Sequence, residues 1–346
     1  MPGPTGVVLM TYGSAPSSED VPEFLLSVRQ GRPAPEELVT EFRRRYELIG
    51  FSPLVRITEA QGRALQELLD LEHGSGAYLV EVGMLHSQPT IATAVRHLRD
   101  AGVDRLIGVV LSPQWSPYIM GGYTRALEAA AGQAGRDMEV VPPGPWHELE
   151  SFLEALAEKV REALVRLADR RGTLAAILTV HSLPKPVVDR EPEYLEQLMQ
   201  TVDQVVRRAG LLEAEWHFAY QSAGHTAEEW LKPDLKDILP DIRAAGKTDV
   251  LVVPVQFLAD HLEILYDIDI AAREEAERAG LAFHRIELMN TSPSFIRALH
   301  EVVMSQERVG APGLTRGGLS DAQVGAGGKD QDQPASREQR HDDEHK

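Results

Sequence analysis

His181 and Glu263 are the residues whose types and positions offer the most chemistry. His181 stands where the apolar run Leu174 to Val180 ends, ahead of Ser182-Leu183-Pro184. An imidazole at the end of a buried strand projects beyond the sheet, as a metal ligand or as a base titrating near neutrality. A histidine that merely closes the strand with a backbone hydrogen bond fits the same place, and position alone does not separate the two. Glu263 lies in Asp260-His261-Leu262-Glu263-Ile264-Leu265-Tyr266-Asp267, just after a strand ending near Phe257. The segment predicts the start of a helix, with Glu263 and Asp267 on one face at i and i+4. Two carboxylates in register can pass on a hard cation or relay protons. An acidic first turn that complements the helix dipole is the commoner reason for such a pattern. His261, beside Asp260, is expected to support or cap.

Other candidates follow the predicted strands, because ligands of open parallel sheets bind beyond the carboxyl ends. They are Tyr12, His86, Ser112 to Trp115, Ser182, Gln221-Ser222 and Gln256. Tyr12, before Gly13-Ser14, either covers the sheet edge or presents its phenol to a ligand. Arg29, Arg32 and Arg45 carry planar forks suited to carboxylates, whereas Arg43 and Arg44 read as solvated charges. The stretch Trp115 to Tyr123 reads as an aromatic loop, either the wall of a flat apolar site or ordinary packing.

The elements that must position these residues alternate in type. Gly6 to Tyr12, Tyr78 to Leu85, Leu106 to Leu111, Leu174 to Val180, Trp216 to Tyr220 and Val250 to Val255 read as buried strands. Pro22 to Arg29, Pro35 to Ile49, Thr58 to Leu71, Ile91 to Ala101 and Leu149 to Arg170 read as amphipathic helices. That alternation predicts an α/β protein with parallel sheets flanked by helices. The halves also look alike. A helix ending in Ala101-Gly102 leads into the strand from Leu106, and one ending in Ala245-Gly246 into the strand from Val250. We therefore expect two similar Rossmann-like lobes, 5–150 and 151–309. Residues 310–346 are rich in Gly, Gln, Asp and Ser, and predict a disordered tail.

Composition mostly excludes. The net charge of −18 among 346 residues argues against nucleic-acid binding. There are no cysteines, which removes disulfides, thiolate zinc sites and cysteine-held iron–sulfur clusters. No apolar stretch suits a membrane span, and no secretory signal opens the chain, so a cytoplasmic location is expected. No P-loop or G-x-G-x-x-G follows a strand, so no organic cofactor is expected.

Two motifs carry a resemblance. Thr179-Val180-His181-Ser182-Leu183-Pro184, with Pro254-Val255-Gln256-Phe257-Leu258-Ala259-Asp260-His261-Leu262-Glu263 running on to Asp267, resembles the ferrochelatase signature. The likeness extends to Tyr12-Gly13, Arg45-Tyr46, the loop Ile49 to Leu54 and Tyr220 to Gly224, in order over residues 6 to 306. The resemblance implies insertion of Fe²⁺ into a porphyrin on the way to haem, in a cleft between the lobes. It places His181 and Glu263 on one side of the macrocycle, as catalytic and metal-binding residues, and Tyr12 on the other. The reaction must strip water from Fe²⁺, bend the ring and remove two pyrrole protons. An imidazole with a carboxylate is a borderline donor set able to hold iron and release it. An unperturbed imidazole, titrating near ~6.5, also accepts a proton at neutral pH. Asp267 is expected as a secondary relay for protons or metal.

The likeness is greatest to the coproporphyrin III ferrochelatases, which make Fe-coproporphyrin III (coprohaem). The propionate contacts implied are Arg29, Arg45, Tyr46, Ser52 and Tyr123. Ala271 stands where the family often has a further glutamate, which puts a peripheral metal site in doubt, and Glu274 falls a turn too far along to replace it. The resemblance also implies a monomer and a downstream haem-pathway enzyme as recipient. The alternatives are a protoporphyrin IX ferrochelatase, a cobalt chelatase of corrin synthesis and a non-catalytic porphyrin carrier.

Overall fold

The computed structural model describes residues 3–135, 137–224 and 228–309, so the tail expected at 310–346 lies outside the described residues. The apolar runs of the sequence form the centres of two sheets. Val7, Val8, Leu9 and Met10 are 0% exposed, as are Val250 to Val253. Helices cover both faces of each strand, which is why these runs are continuous rather than alternating.

The first sheet holds β1 (Thr5–Thr11), β2 (Tyr78–Met84), β3 (Arg105–Val110) and β4 (Glu139–Val141), all parallel, in the order β2-β1-β3-β4. The second holds β5 (Leu174–His181), β6 (Trp216–Gln221), β7 (Asp249–Pro254) and β8 (Ala282–Arg285), in the order β6-β5-β7-β8. Counted from its own first strand, each sheet has the same order, so the likeness between halves extends to topology. The edge strands β4 and β8 were not legible in the sequence, being only 3 and 4 residues long.

Three helices separate β1 from β2: α1 (Val21–Val28), α2 (Glu36–Ile49) and α3 (Leu54–His73). Then α4 (Ile91–Asp100) leads to β3 and α5 (Pro117–Gly132) to β4, and α6 (Glu150–Arg166) joins the lobes. In the second half, α7 (Lys185–Arg190) and α8 (Pro192–Ala209) precede β6, and α9 (Leu235–Ala244) precedes β7. A π-helix (Glu263–Ala272) and α10 (Arg273–Arg278) lie between β7 and β8, and α11 (Pro293–Val309) follows.

The start of α5 corrects the aromatic loop expected at Trp115 to Tyr123. The Ser116 hydroxyl accepts from the Ile119 amide at 3.1 Å, and Pro117 fills the first helical position. A capping serine followed by proline starts a helix, and it prevails here over Gly121-Gly122.

One apolar core runs through both sheets. A smaller one gathers Val21, Phe24 and Leu25 of α1 with Tyr46 of α2, and Leu262 of the second lobe packs against it. Further contacts tie the lobes. Gln114, just past β3, donates to Thr201 of α8 at 2.9 Å, and Trp115 exchanges hydrogen bonds with Gln197 of the same helix. Helix α11, although late in the chain, packs against α3 and α6, and its Glu307 accepts from the Tyr78 hydroxyl at 2.5 Å. Among the described residues no helix is long and apolar enough to cross a membrane.

Candidate active site

His181 is the last residue of β5, and two hydrogen bonds fix its ring and backbone. Its amide donates to Gln256 Oε1 at 3.0 Å, and Gln256 Nε2 in turn donates to the Tyr194 hydroxyl at 2.6 Å. Its Nδ1 is hydrogen-bonded to the Ser182 carbonyl. A carbonyl only accepts, so Nδ1 carries a proton, and in the neutral ring the lone pair is on Nε2. That Nε2 lies 3.5 Å from Glu263 Oε2. His261 repeats the arrangement: its Nδ1 donates to the Ala259 carbonyl at 2.9 Å, and its Nε2 is 3.8 Å from the same carboxylate oxygen. Two imidazole nitrogens thus converge on one oxygen at the start of the π-helix. π-Helical turns are rare and often sit at functional sites.

The charges divide along that helix. Burial pushes the Glu263 carboxyl up, but the His181 charge and the nearby His261 imidazole outweigh it and bring it to about 2. Burial pulls the His261 imidazole down, and the adjacent Glu263 carboxylate more than reverses this, leaving it raised. Asp267 goes the other way. Burial raises it, and the charge of Glu263 adds to that against the Ser222 hydroxyl and Arg45. Paired carboxyls whose environments separate them in this way suit separate tasks, one a firm anion and one a carrier of protons.

Tyr12 follows β1 and comes from the other lobe. Gly13 turns the chain behind it at φ +94°, where a Cβ would meet Ser87 Oγ at 2.5 Å. Glycine alone suits both the left-handed backbone and the close approach. The Tyr12 side chain is 44% exposed and flanked by His86 and Phe24 at 4.6 and 6.3 Å between ring centroids. Burial of its hydroxyl, then the charge of Glu263, lift it to about 12. Tyr12 therefore keeps its proton and shares one electrostatic space with Glu263.

The residues expected to bind propionates land in different surroundings. Tyr46 is 1% exposed, and its hydroxyl meets Ser14 Oγ at 2.9 Å and accepts from the Ala15 amide at 3.3 Å. It pins the loop after Tyr12 from within the small core. Tyr123 is 6% exposed and belongs to the main core. The apolar environment of each ring holds it inside. Arg45 sits between lobes, with Nε on Glu41 at 2.8 Å and one terminal nitrogen 3.6 Å from Asp267 Oδ1. Arg44, expected as a solvated charge, forks onto Glu41 and also reaches the Tyr266 hydroxyl. Arg43, expected likewise, donates to the Ser18 carbonyl at 2.9 Å. The Arg29 Nε is buried with no hydrogen-bond partner among the described residues. Ser52 accepts from the Leu54 amide at 3.4 Å where α3 begins. Ala271 continues the π-helix beyond Asp267, and Glu274 is exposed on α10.

Sequence reasoning missed Tyr194 and the closeness of His261 to Glu263. Tyr194 lies in an unremarked amphipathic helix, and only its bond to Gln256 connects it to the site. A pocket of about 530 Å³ beside the π-helix, lined in part by Asp269, Arg273 and Arg285, is a separate feature. Arg285 is already forked onto Asp269 at 2.7 and 2.8 Å.

The model of the ferrochelatase family matches residues 4–307. The chain belongs to the ferrochelatase family. It is 35% identical over 308 residues to a ferrochelatase of Herpetosiphon aurantiacus, covering 88% of this chain and 100% of that one. It is 34% identical over 304 residues to a coproporphyrin III ferrochelatase of Geobacillus kaustophilus, covering 87% and 95%. SirB from Bacillus subtilis with Fe³⁺ shares the fold at a TM-score of 0.52 and 11% identity, over 88% of this chain and 96% of that one. CbiX, described as the terminal enzyme for biosynthesis of sirohaem in denitrifying bacteria, does so at 0.51 and 14%, over 87% and 98%. As a ferrochelatase-family protein the chain is a metallochelatase, a lyase.

Proposed function

We propose that this ferrochelatase-family protein inserts Fe²⁺ into coproporphyrin III, with His181 and Glu263 as the residues that hold the metal and take up protons. The observation that carries the reading is the convergence of His181 Nε2 and Glu263 Oε2 at 3.5 Å. β5 and the π-helix, far apart in sequence, bring together one nitrogen donor and one anionic oxygen donor. Such a pair holds Fe²⁺ through exchangeable bonds.

The overall step is Fe²⁺ plus the free-base porphyrin giving the iron porphyrin and two protons. Iron stays ferrous, so no redox cofactor is needed. His181 Nε2 accepts a pyrrole proton once the metal passes to the ring, and Glu263 remains ionised as the counter-charge. Asp267, whose raised proton affinity contrasts with Glu263, takes protons outward along the helix. Tyr12, holding its own proton, faces the ring from the first lobe as a neutral group.

For the ring itself, the support is the similarity to relatives named coproporphyrin III ferrochelatases, together with Arg45, which reaches Asp267. Coproporphyrin carries four propionates, and Arg45 can exchange its Glu41 partner for a ligand carboxylate without losing charge balance. The test is anaerobic Fe²⁺ insertion with coproporphyrin III and protoporphyrin IX side by side, followed by absorbance. The expected result is faster turnover of coproporphyrin III. Equal rates would remove the substrate choice, and no insertion into either ring would remove the reading altogether.

A further inference from the structure

Far from that cleft, two histidines and a glutamate meet where α11 rests on α3. Glu72 and His73 close the last turn of α3, and His300 lies in α11, 227 residues beyond His73. The Nε2 atoms of the two histidines are 3.0 Å apart, and His300 Nε2 is 3.3 Å from Glu72 Oε2. One ligand atom from each of the three residues lies within 4.8 Å of the other two. The two imidazoles meet nitrogen to nitrogen, with centroids 5.3 Å apart and 19° between planes, and His73 packs edge-on against Tyr78 at 5.2 Å. Tyr78 begins β2 and pairs in register with Thr5, so the cluster lies at the amino end of the sheet, opposite Tyr12.

Two imidazole nitrogens aimed at each other repel through their lone pairs unless a proton or a metal ion lies between them. A tetrahedral ion with bonds of ~2.0–2.1 Å holds its donor atoms about 3.3 Å apart. The two shorter edges of the triangle, 3.0 and 3.3 Å, match that spacing. Two imidazoles with one carboxylate favour zinc, cobalt or nickel over magnesium or calcium, whose sites are built from oxygens. We propose that Glu72, His73 and His300 form a second metal site, for a zinc-class divalent ion, that staples α11 to α3. Water completes its fourth position. The site stands apart from the cleft chemistry and does not depend on which porphyrin is used.

The test is equilibrium dialysis with Zn²⁺ alongside thermal unfolding of the full chain. The parent should bind one zinc more than either His300→Gln or Glu72→Gln. Its melting temperature should rise by about 2–5 °C at saturating zinc, and both variants should lose that rise. Both should insert Fe²⁺ at the parental rate, because neither residue touches the cleft. Glu72 is exposed, so its variant remains decisive if His300→Gln does not fold. Zinc stoichiometry and melting rise unchanged in Glu72→Gln and His300→Gln would overturn the proposal. So would a pair that gains stability from acid but not from zinc, since a shared proton would then bridge it.

Discussion

Tyr12 and His181 hold equivalent places in the two lobes, each at the end of the central strand β1 or β5, yet one is a phenol and the other an imidazole. The helices after the third strands differ as well. After β3, α5 starts at once from Ser116-Pro117 and buries Met120 and Tyr123. After β7, the π-helix buries Ile264, Ile268 and Ala272 and leaves Glu263 partly exposed, 3.5 Å from His181. The repeated sheet therefore supplies a location, while the residue at the strand end and the helix beyond it decide the chemistry. On the proposed function, the first lobe would offer an aromatic residue and arginines to a ring, and the second donors to a cation.

The comparison can be broken most directly at the strand ends. His181→Ala should bind porphyrin yet lose Fe²⁺ insertion by on the order of 10²–10⁴-fold, whereas Tyr12→Phe should lose less than about tenfold, since Tyr12 keeps its proton at pH values below about 12. Steady-state turnover with separate fluorescence titration of the porphyrin checks both, and equal losses would erase the distinction between the lobes. Glu263→Gln should resemble His181→Ala. Asp267→Asn should fall between, at roughly 10–100-fold, read from turnover at fixed Fe²⁺.

A third test sharpens the electrostatics of the second lobe. The His181 charge does most to hold the Glu263 carboxyl at about 2 against burial, so His181→Ala should raise it, as followed by carboxyl carbon NMR. The sign for stability follows. Glu263 is depressed in the fold, so the stability it contributes is present above the ordinary carboxylate range and is lost as pH falls toward 2. Acid unfolding should be less steep in Glu263→Gln. The smallest effect is expected at Tyr46→Phe, which strips the hydroxyl from Ser14 and Ala15. It should cost about 1 kcal/mol in denaturant unfolding with turnover nearly unchanged, and a large loss of turnover would return Tyr46 to the cleft surface.

Legibility in the sequence followed burial. The central strands were readable because both faces are covered and the apolar runs are unbroken, as at Val7 to Met10. The short edges β4 and β8 leave too few residues for a pattern. His181 and Glu263 were singled out by place and by motif, but a sequence does not show that their atoms meet. Tyr46 and Tyr123 lie in helices α2 and α5, where the sequence does not show that the rings are buried or that the Tyr46 hydroxyl meets a buried serine. Arg44 is exposed as its helix face implies, but periodicity does not show its contact with Tyr266, 222 residues away. The pairing of His73 with His300 likewise depends on where the last helix comes to rest.

Leu262 gives the molecule a lever. It seats in the small core under α1 and α2, and the next residue in the chain is Glu263. On the proposed function, a ring seated against those two helices would bear on the backbone beside the carboxylate through this one side chain.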